Sequence, residues 1–510
     1  MTTTATRPPS PPQPVRAFDK RTLGALRIAL GAVLLGDLLR RTPSWEAFYS
    51  DAGLAPSWTA LEEADRMGQL SLALAFSGPL STWVYWAACA VAALALAVGY
   101  RTKLAQVGAF VLFTGLNGRT LLVENTGYTL ENLVLAWTLL LPLGDWFAVD
   151  GRRSPRTRGE RAAPHESVVG ICLVAQAFAM YFFNVVHKTG SAWRDGSAVF
   201  AVLHVDRMAT PFAVWMREAL PNGVLAALTT TVLVAELACA VLAACVCIPR
   251  VSIAARRSLV VVGMLLHFAF GAALTLGPFS WVAGVLCLSF VSRHDWDWLA
   301  RATGARWLEL PPATGEPPMP PTTGAVARAQ AFARESLAVA MLAAAAHRGA
   351  IDMPAPRARL EAWFGGPVPN PALFRALTER LRLGQGWALF APEPLLEDGL
   401  LVVDATTASG RRLDPLTGRP PDLDLSALRG SQRDQLWGDY GHRLALRQNE
   451  AYLPALRAYV EAFPQRTGAP DDAIVHARAW WLRDRCPRLP ERTPSGATQR
   501  LLLSWGSTSP

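Results

Sequence analysis

Long apolar runs are the feature that most constrains this chain. Up to about residue 300 it is built from stretches of Ala, Leu, Val and Phe at 22–40, 81–99, 103–123, 129–147, 166–186, 222–248, 257–275 and 277–292. A hydrocarbon core about 30 Å thick is crossed by about 20 such residues in a helix. Inside lipid every backbone N–H and C=O must find its partner within the protein, and a helix supplies those partners itself. A ninth, shorter run at 335–347 reads as a last span or a surface helix. The predicted fold is mainly α: a polytopic transmembrane bundle of about eight or nine helices, followed by a small α+β soluble domain.

Composition sharpens the division. Only 17% of the 510 residues are charged, against about a quarter in an ordinary soluble domain. The net charge of +9 does not point to nucleic acid, because the arginines cluster in loops between apolar runs, where membrane topology accounts for them. Cys89, Cys172, Cys239, Cys245, Cys247 and Cys287 lie within apolar runs, and Cys486 lies outside them. That is neither a disulfide framework nor a metal-ligand set. Residues 1–20 read as a disordered, Thr/Pro-rich tail with no signal-peptide core, 21–300 as the membrane domain and 301–331 as a Pro-rich linker. Residues 332–348 hold the last helix and 349–510 the soluble domain.

Lysine and arginine set the orientation. Arg152, Arg153, Arg156, Arg158 and Arg161 follow the fourth run, which makes that loop cytoplasmic. The N-terminus with Arg7, Arg16, Lys20 and Arg21, the Arg101–Lys103 turn and the loop with Arg250, Arg256 and Arg257 then fall on the same side. Loops 41–80, 118–128 and 187–221 fall on the other, and if 335–347 crosses, the soluble domain joins them. Within that domain, 372–383 reads as helical and 399–413 as a hairpin turning at Ser409-Gly410. Segments 433–463 and 471–484 read as amphipathic helices. The chain carries no P-loop, Rossmann, zinc-protease or serine-nucleophile signature.

Ionisable residues in apolar runs are costly and therefore candidates for function. Lys188 ends the fifth run, in Tyr181-Phe-Phe-Asn-Val-Val-His-Lys188. It reads either as a desolvated amine available as a base or as a lysine snorkelling to the interface. Glu236 lies mid-run, where water is out of reach, so it needs a partner or a proton. His267 reads as a packing histidine or a ligand. Asn125, Tyr128, Glu131 and Asn132 open the fourth run, with Asn125 placed to cap its helix. Asp37, Arg40 and Arg41 read as an interfacial ion pair. Trp193 reads as part of an aromatic belt.

Four ordered stretches resemble a known family. They are Gly99-Tyr-Arg-Thr102; Asn125-Thr-Gly-Tyr128 leading to Trp146-Phe-Ala-Val-Asp-Gly151; Tyr181 to Lys188 leading to Trp193-Arg-Asp-Gly196; and His267 leading to Leu276-Gly-Pro-Phe-Ser-Trp281. Over about residues 20–300 they resemble the HTTM (horizontally transferred transmembrane) family, which includes the vitamin K-dependent gamma-carboxylases. The stretch Gln385-Gly-Trp-Ala-Leu-Phe-Ala-Pro-Glu-Pro394 is similar to bacterial HTTM proteins, which implies a bacterial inner membrane.

The resemblance implies a lyase-type carboxylase and epoxidase. Its co-substrate would be reduced vitamin K or menaquinol, with protein glutamate as the second substrate and membrane lipids as partners. Lys188 would deprotonate the hydroquinone. Oxygen would add to give a strongly basic oxide, which takes the glutamate γ proton; the carbanion takes up carbon dioxide and the quinone leaves as epoxide. By the same resemblance His267 is a second catalytic residue. Asn125, Tyr128, Tyr181, Trp193, Glu236 and Phe279 would form the quinone-binding walls. Thr126 stands where the carboxylase pattern has a histidine serving the carbanion part of the reaction, so quinol oxidation is the firmer half of the expectation. The alternatives are a non-catalytic scaffold that binds lipid or protein, for which Lys188 would be exposed beside a closed bundle, and a small transporter, for which charges would line a continuous path.

Overall fold

The computed structural model describes residues 14–66, 71–310, 324–384, 386–424, 434–469 and 472–506. The long helices are α1 (Lys20–Arg41), α2 (Pro79–Val98), α3 (Thr102–Asn117), α4 (Thr126–Leu139) and α5 (Val168–Val186). They continue with α6 (Asn222–Cys245), α7 (Ser252–Ala273), α8 (Phe279–Leu288) and α9 (Ala325–Asp352). Five segments are long and apolar enough to cross a membrane: Lys20–Tyr49, which contains α1, and the helices α2, α5, α6 and α7.

The other three expected spans fold as shorter helices. α3 has 16 residues, α4 has 14 and α8 has 10. α3 ends at the hydrogen-bonded Asn117 beside Gly118, and α4 stops just before Pro142, which has no N–H to continue a helix. α4 and α8 are largely buried inside the bundle, where irregular backbone at membrane depth can be satisfied by protein, whereas α3 buries one face and exposes Leu104, Val107 and Val111 on the other.

Family-like motifs at one end of the bundle are structural. Gly99 takes φ +71 to end α2, and its carbonyl accepts from Asp150 N at 2.9 Å. The Asp150 carboxylate then caps α3, accepting from Arg101 N at 2.9 Å and Thr102 N at 2.6 Å. Fully buried Arg27 donates to the carbonyls of Leu96, Leu143 and Phe147. Such charge-assisted bonds tie the Gly99 and Trp146 motifs into one corner.

The N-terminal expectation needs correction. Residues 1–13 lie outside the described part, but 14–20 are built into the fold. Strand β1 (Ala17–Phe18) pairs antiparallel with β2 (His165–Glu166), and Asp19 caps α1 by accepting from Arg21 N at 2.8 Å. The expected linker shrinks too: a helix covers Arg293–Thr303, α9 begins at Ala325, and only 311–323 lie outside the described residues. α9 is far longer than the run at 335–347. Glu335 accepts from Ser167 Oγ and Val168 N at the start of α5. Gly349 lies so close to Phe183, near the end of α5, that a methyl group there would overlap the ring. α9 therefore runs alongside α5 from one end of the bundle to the other.

The basic loops gather at the α5 start. Lys20 pairs with Asp145 at 2.5 Å, Arg21 with Asp297 at 2.9 Å and Arg257 with Asp295 at 2.5 Å. The C-terminal domain packs on the opposite end. Its sheet has the order β4-β3-β5-β6, with β3 (Glu397–Thr407), β4 (Arg412–Leu413), β5 (Ile474–Arg485) and β6 (Ser495–Gly506), all antiparallel. The hairpin expected at 399–413 is present, with Gly410 at φ +81. The helix expected over 471–484 is instead the central strand β5. Its Ile474, Val475, Trp480 and Trp481 suit a pleated surface, and pairing on both edges outweighs the helical reading. The helix expected over 433–463 is broken into α10 (Gln435–Leu444), a short turn and Leu453–Glu461. α10 lies between sheet and bundle, and Trp437 and Tyr440 pack on Phe48 at 5.0 and 5.6 Å.

Candidate functional site

Lys188 follows the last turn of α5, its N–H bonded to Val185 O at 3.1 Å. The side chain does not snorkel: it is 2% exposed and paired with Glu236 of α6, itself 2% exposed. Nζ donates to both carboxylate oxygens, at 2.6 and 2.5 Å. Asn184, one helical turn back on α5, donates to Glu236 Oε1 at 2.8 Å. Glu236 thus has the partner that its depth demanded. Lys188 Nζ also lies 4.6 Å from the centre of the Trp193 ring, a cation–π contact. Trp193 is therefore part of the lysine's surroundings and not a belt residue.

A second pair stands deeper. Tyr181 Oη and His267 Nε2 are 2.8 Å apart. Phe279 packs edge-on against the His267 ring at 5.7 Å. His267 Nδ1 is buried with no hydrogen-bond partner among the described residues.

Both pairs line one cavity of about 830 Å³. Its walls include Lys188, Glu236, Tyr181, His267, Asn125, Trp193 and Phe279, together with Thr126. Seven of the eight residues singled out from the sequence therefore meet at one void. Tyr128 does not. It is buried under Arg41, whose guanidinium lies 3.9 Å from its ring centre, and its hydroxyl accepts from Arg40 at 2.6 Å. Tyr128 belongs to a separate network, which meets the cavity's polar wall only where the part-exposed Arg40 donates to Gln435 at 3.1 Å. In it Asp37 receives Arg40 at 2.8 Å and Arg41 at 2.6 Å, Arg41 reaches Asn117 at 2.6 Å, and Asn117 donates to Glu131 at 3.1 Å and Asn132 at 2.9 Å. The interfacial ion pair read for Asp37 and the two arginines is thus a buried one, with Arg41 fully covered.

The cavity is roofed by the C-terminal domain. A strap from Trp387 to Glu393 lies across the loop after Lys188. Leu389 N donates to Asn184 Oδ1 at 3.0 Å, Trp193 Nε1 to Phe390 O at 2.9 Å and Gly190 N to Pro392 O at 2.9 Å. Glu393 accepts from Ser191 N at 2.5 Å and Ala192 N at 3.1 Å. Burial pushes its carboxyl up, but these bonds and Arg488 outweigh that and hold it below the usual carboxylate range. α10 adds a polar wall of Gln435, Asp439, His442 and Arg443. Burial raises the Asp439 carboxyl and lowers His442 to about 3, so this histidine is neutral near pH 7. The sequence marked the strap only by its similarity to bacterial proteins, and α10 carried no signal that it would face a membrane cavity.

The arrangement defines a class: a polytopic helical membrane protein with an ion pair buried against a large, mostly apolar cavity, closed by a domain from the same chain. The family model described as HTTM domain matches residues 15–296, and the chain belongs to that family. No curated protein and no solved structure matches the chain.

Proposed function

We propose that this protein oxidises a reduced naphthoquinone within the bilayer, with Lys188 as the base. The observation that supports this best is the Lys188–Glu236 pair on the wall of an apolar cavity of about 830 Å³. Such a void accommodates a fused-ring quinol with part of a tail. The pair is neutral overall whether the shared proton rests on nitrogen or on oxygen. With the proton on Glu236, Lys188 presents a free amine, and a desolvated amine is an effective general base. Asn184 fixes the carboxylate and Trp193 flanks the ammonium, so the pair is pre-aligned. Tyr181 and His267 supply a second proton-handling pair for the quinol's other oxygen. The overall conversion takes the hydroquinone and dioxygen to the quinone epoxide and water.

Carboxylation of protein glutamate is the less supported half, because Thr126 occupies the wall where the carboxylase pattern has histidine. In this reading the basic end faces the cytoplasm of a bacterial cell, and the C-terminal domain lies outside. The cavity counts against a closed scaffold.

The test is purified protein in nanodiscs with menaquinol or vitamin K hydroquinone, oxygen, labelled carbon dioxide and a glutamyl peptide. The expected product is quinone epoxide, lost in Lys188→Ala. If neither epoxide nor labelled carboxylate forms, and Lys188→Ala behaves as the parent protein, the proposal is overturned.

A further inference from the structure

The cavity has an apolar arm away from Lys188. Its walls are Thr231, Val232 and Ala235 on α6 and Val262, Leu265 and Ala269 on α7. Thr231, Leu265 and Ala269 are exposed as well as lining the void, and Leu265, at 64%, shares its helix face with Val261 and Phe268, which are 56% and 69% exposed and do not line the void. α6 and α7 are neighbouring membrane-crossing helices, so the surface they expose here faces lipid. A side chain that belongs both to the cavity wall and to the lipid face marks a wall one side chain thick.

An amphipathic helix, Pro211–Ala219, stands at the end of this seam. Thr210, its cap, donates to Ala272 O at 2.6 Å and so ties it to the end of α7. Phe212 lines the cavity, is 47% exposed and stacks on Trp215 at 5.6 Å. Exposed aromatic residues at a span's end sit at headgroup level.

We propose that this arm holds the isoprenoid tail of the ligand, and that the ligand enters sideways from the bilayer between α6 and α7, past Phe212. The inference rests on the quinol reading of the same cavity. Its physical basis is the path. A tail sliding from lipid into an apolar arm never meets water, whereas a route past Gln435, Asp439, His442 and Arg443 drags it across a polar wall.

The test plugs the seam with Ala235→Trp and Ala269→Trp. Val234→Trp is the control, because Val234 is 60% exposed to lipid and does not line the cavity. The plugs are expected to raise KM for tailed menaquinol at least about tenfold more than KM for tail-less menadiol, with the parent ratio kept in the control. Equal effects on both substrates overturn the proposal. A second readout needs no turnover: a naphthoquinone with a photoreactive tail, activated in nanodiscs and mapped by peptide. Adducts on 228–235 and 262–270 that vanish in Ala269→Trp support the proposal, and adducts elsewhere overturn it. Labelling at the seam without oxidation of any quinol sinks the proposed activity and leaves this inference standing.

Discussion

Two polar clusters are buried in this bundle. The first, Asp37, Arg40, Arg41, Asn117, Glu131 and Asn132, joins α1, α3 and α4 and lines no part of the cavity, although the part-exposed Arg40 reaches Gln435 on its polar wall at 3.1 Å. The second, Lys188, Glu236 and Asn184, joins α5 and α6 and opens on the cavity. Both bury opposite charges and both are hydrogen-bonded, so burial alone does not tell them apart. The difference is what lies beside them. A charge network packed among helices specifies which helices meet, whereas an ion pair on a void large enough for a ligand can exchange a proton with it. Intramembrane charge becomes evidence for chemistry only when a substrate-sized space adjoins it.

Lys188→Ala should separate the clusters most sharply: quinol turnover falls by about 10²–10⁴, as for loss of a general base, and epoxide chromatography measures it. Arg41→Ala should do the opposite. It leaves Asp37 with Arg40 alone, unties Asn117 and costs up to about 3–5 kcal/mol of stability, read as a lower thermal midpoint in detergent, while turnover per folded molecule stays near that of the parent protein. An equal turnover loss per folded molecule in the two variants would erase the distinction. Asn184→Ala removes the link between strap and pair, and a lost bond of about 1.4 kcal/mol lowers kcat about tenfold. Steady-state kinetics with an unchanged thermal midpoint would assign Asn184 to positioning.

A further effect lies outside both clusters, in the roof. Burial raises the Asp398 carboxyl from 3.8 to about 6, against the pull of Arg207. The folded protein therefore keeps this proton where the unfolded chain has lost it. The resulting stabilisation is full below pH 3.8 and is lost as pH rises through about 6. Asp398→Asn should flatten that part of the curve of melting temperature against pH.

The membrane half was largely legible because hydropathy acts over whole segments. Chain ends of the short helices were not, since α3, α4 and α8 are held by tertiary burial and not by a lipid-length apolar run. Lys188, Glu236 and His267 were visible as charges out of place, but their pairing was not: 48 residues separate Lys188 from Glu236. Tyr128 misled because Asn125, three residues away, faces the cavity while Tyr128 turns under Arg41. β5 misled because its strand pattern depends on partners at both edges.

The strap also imposes an order of events on the newborn chain. Glu393, which fastens the roof to Ser191, lies 202 residues beyond it. At about 5–20 residues per second, roughly 10–40 s pass between the two leaving the ribosome. Throughout that interval the ion pair has no roof, and α9 must still thread beside α5 to bring the strap to the correct end. The chamber is thus closed late: its wall is completed by residues up to Leu446, so a chain stalled or misinserted before that point carries the ion pair beside an open cavity.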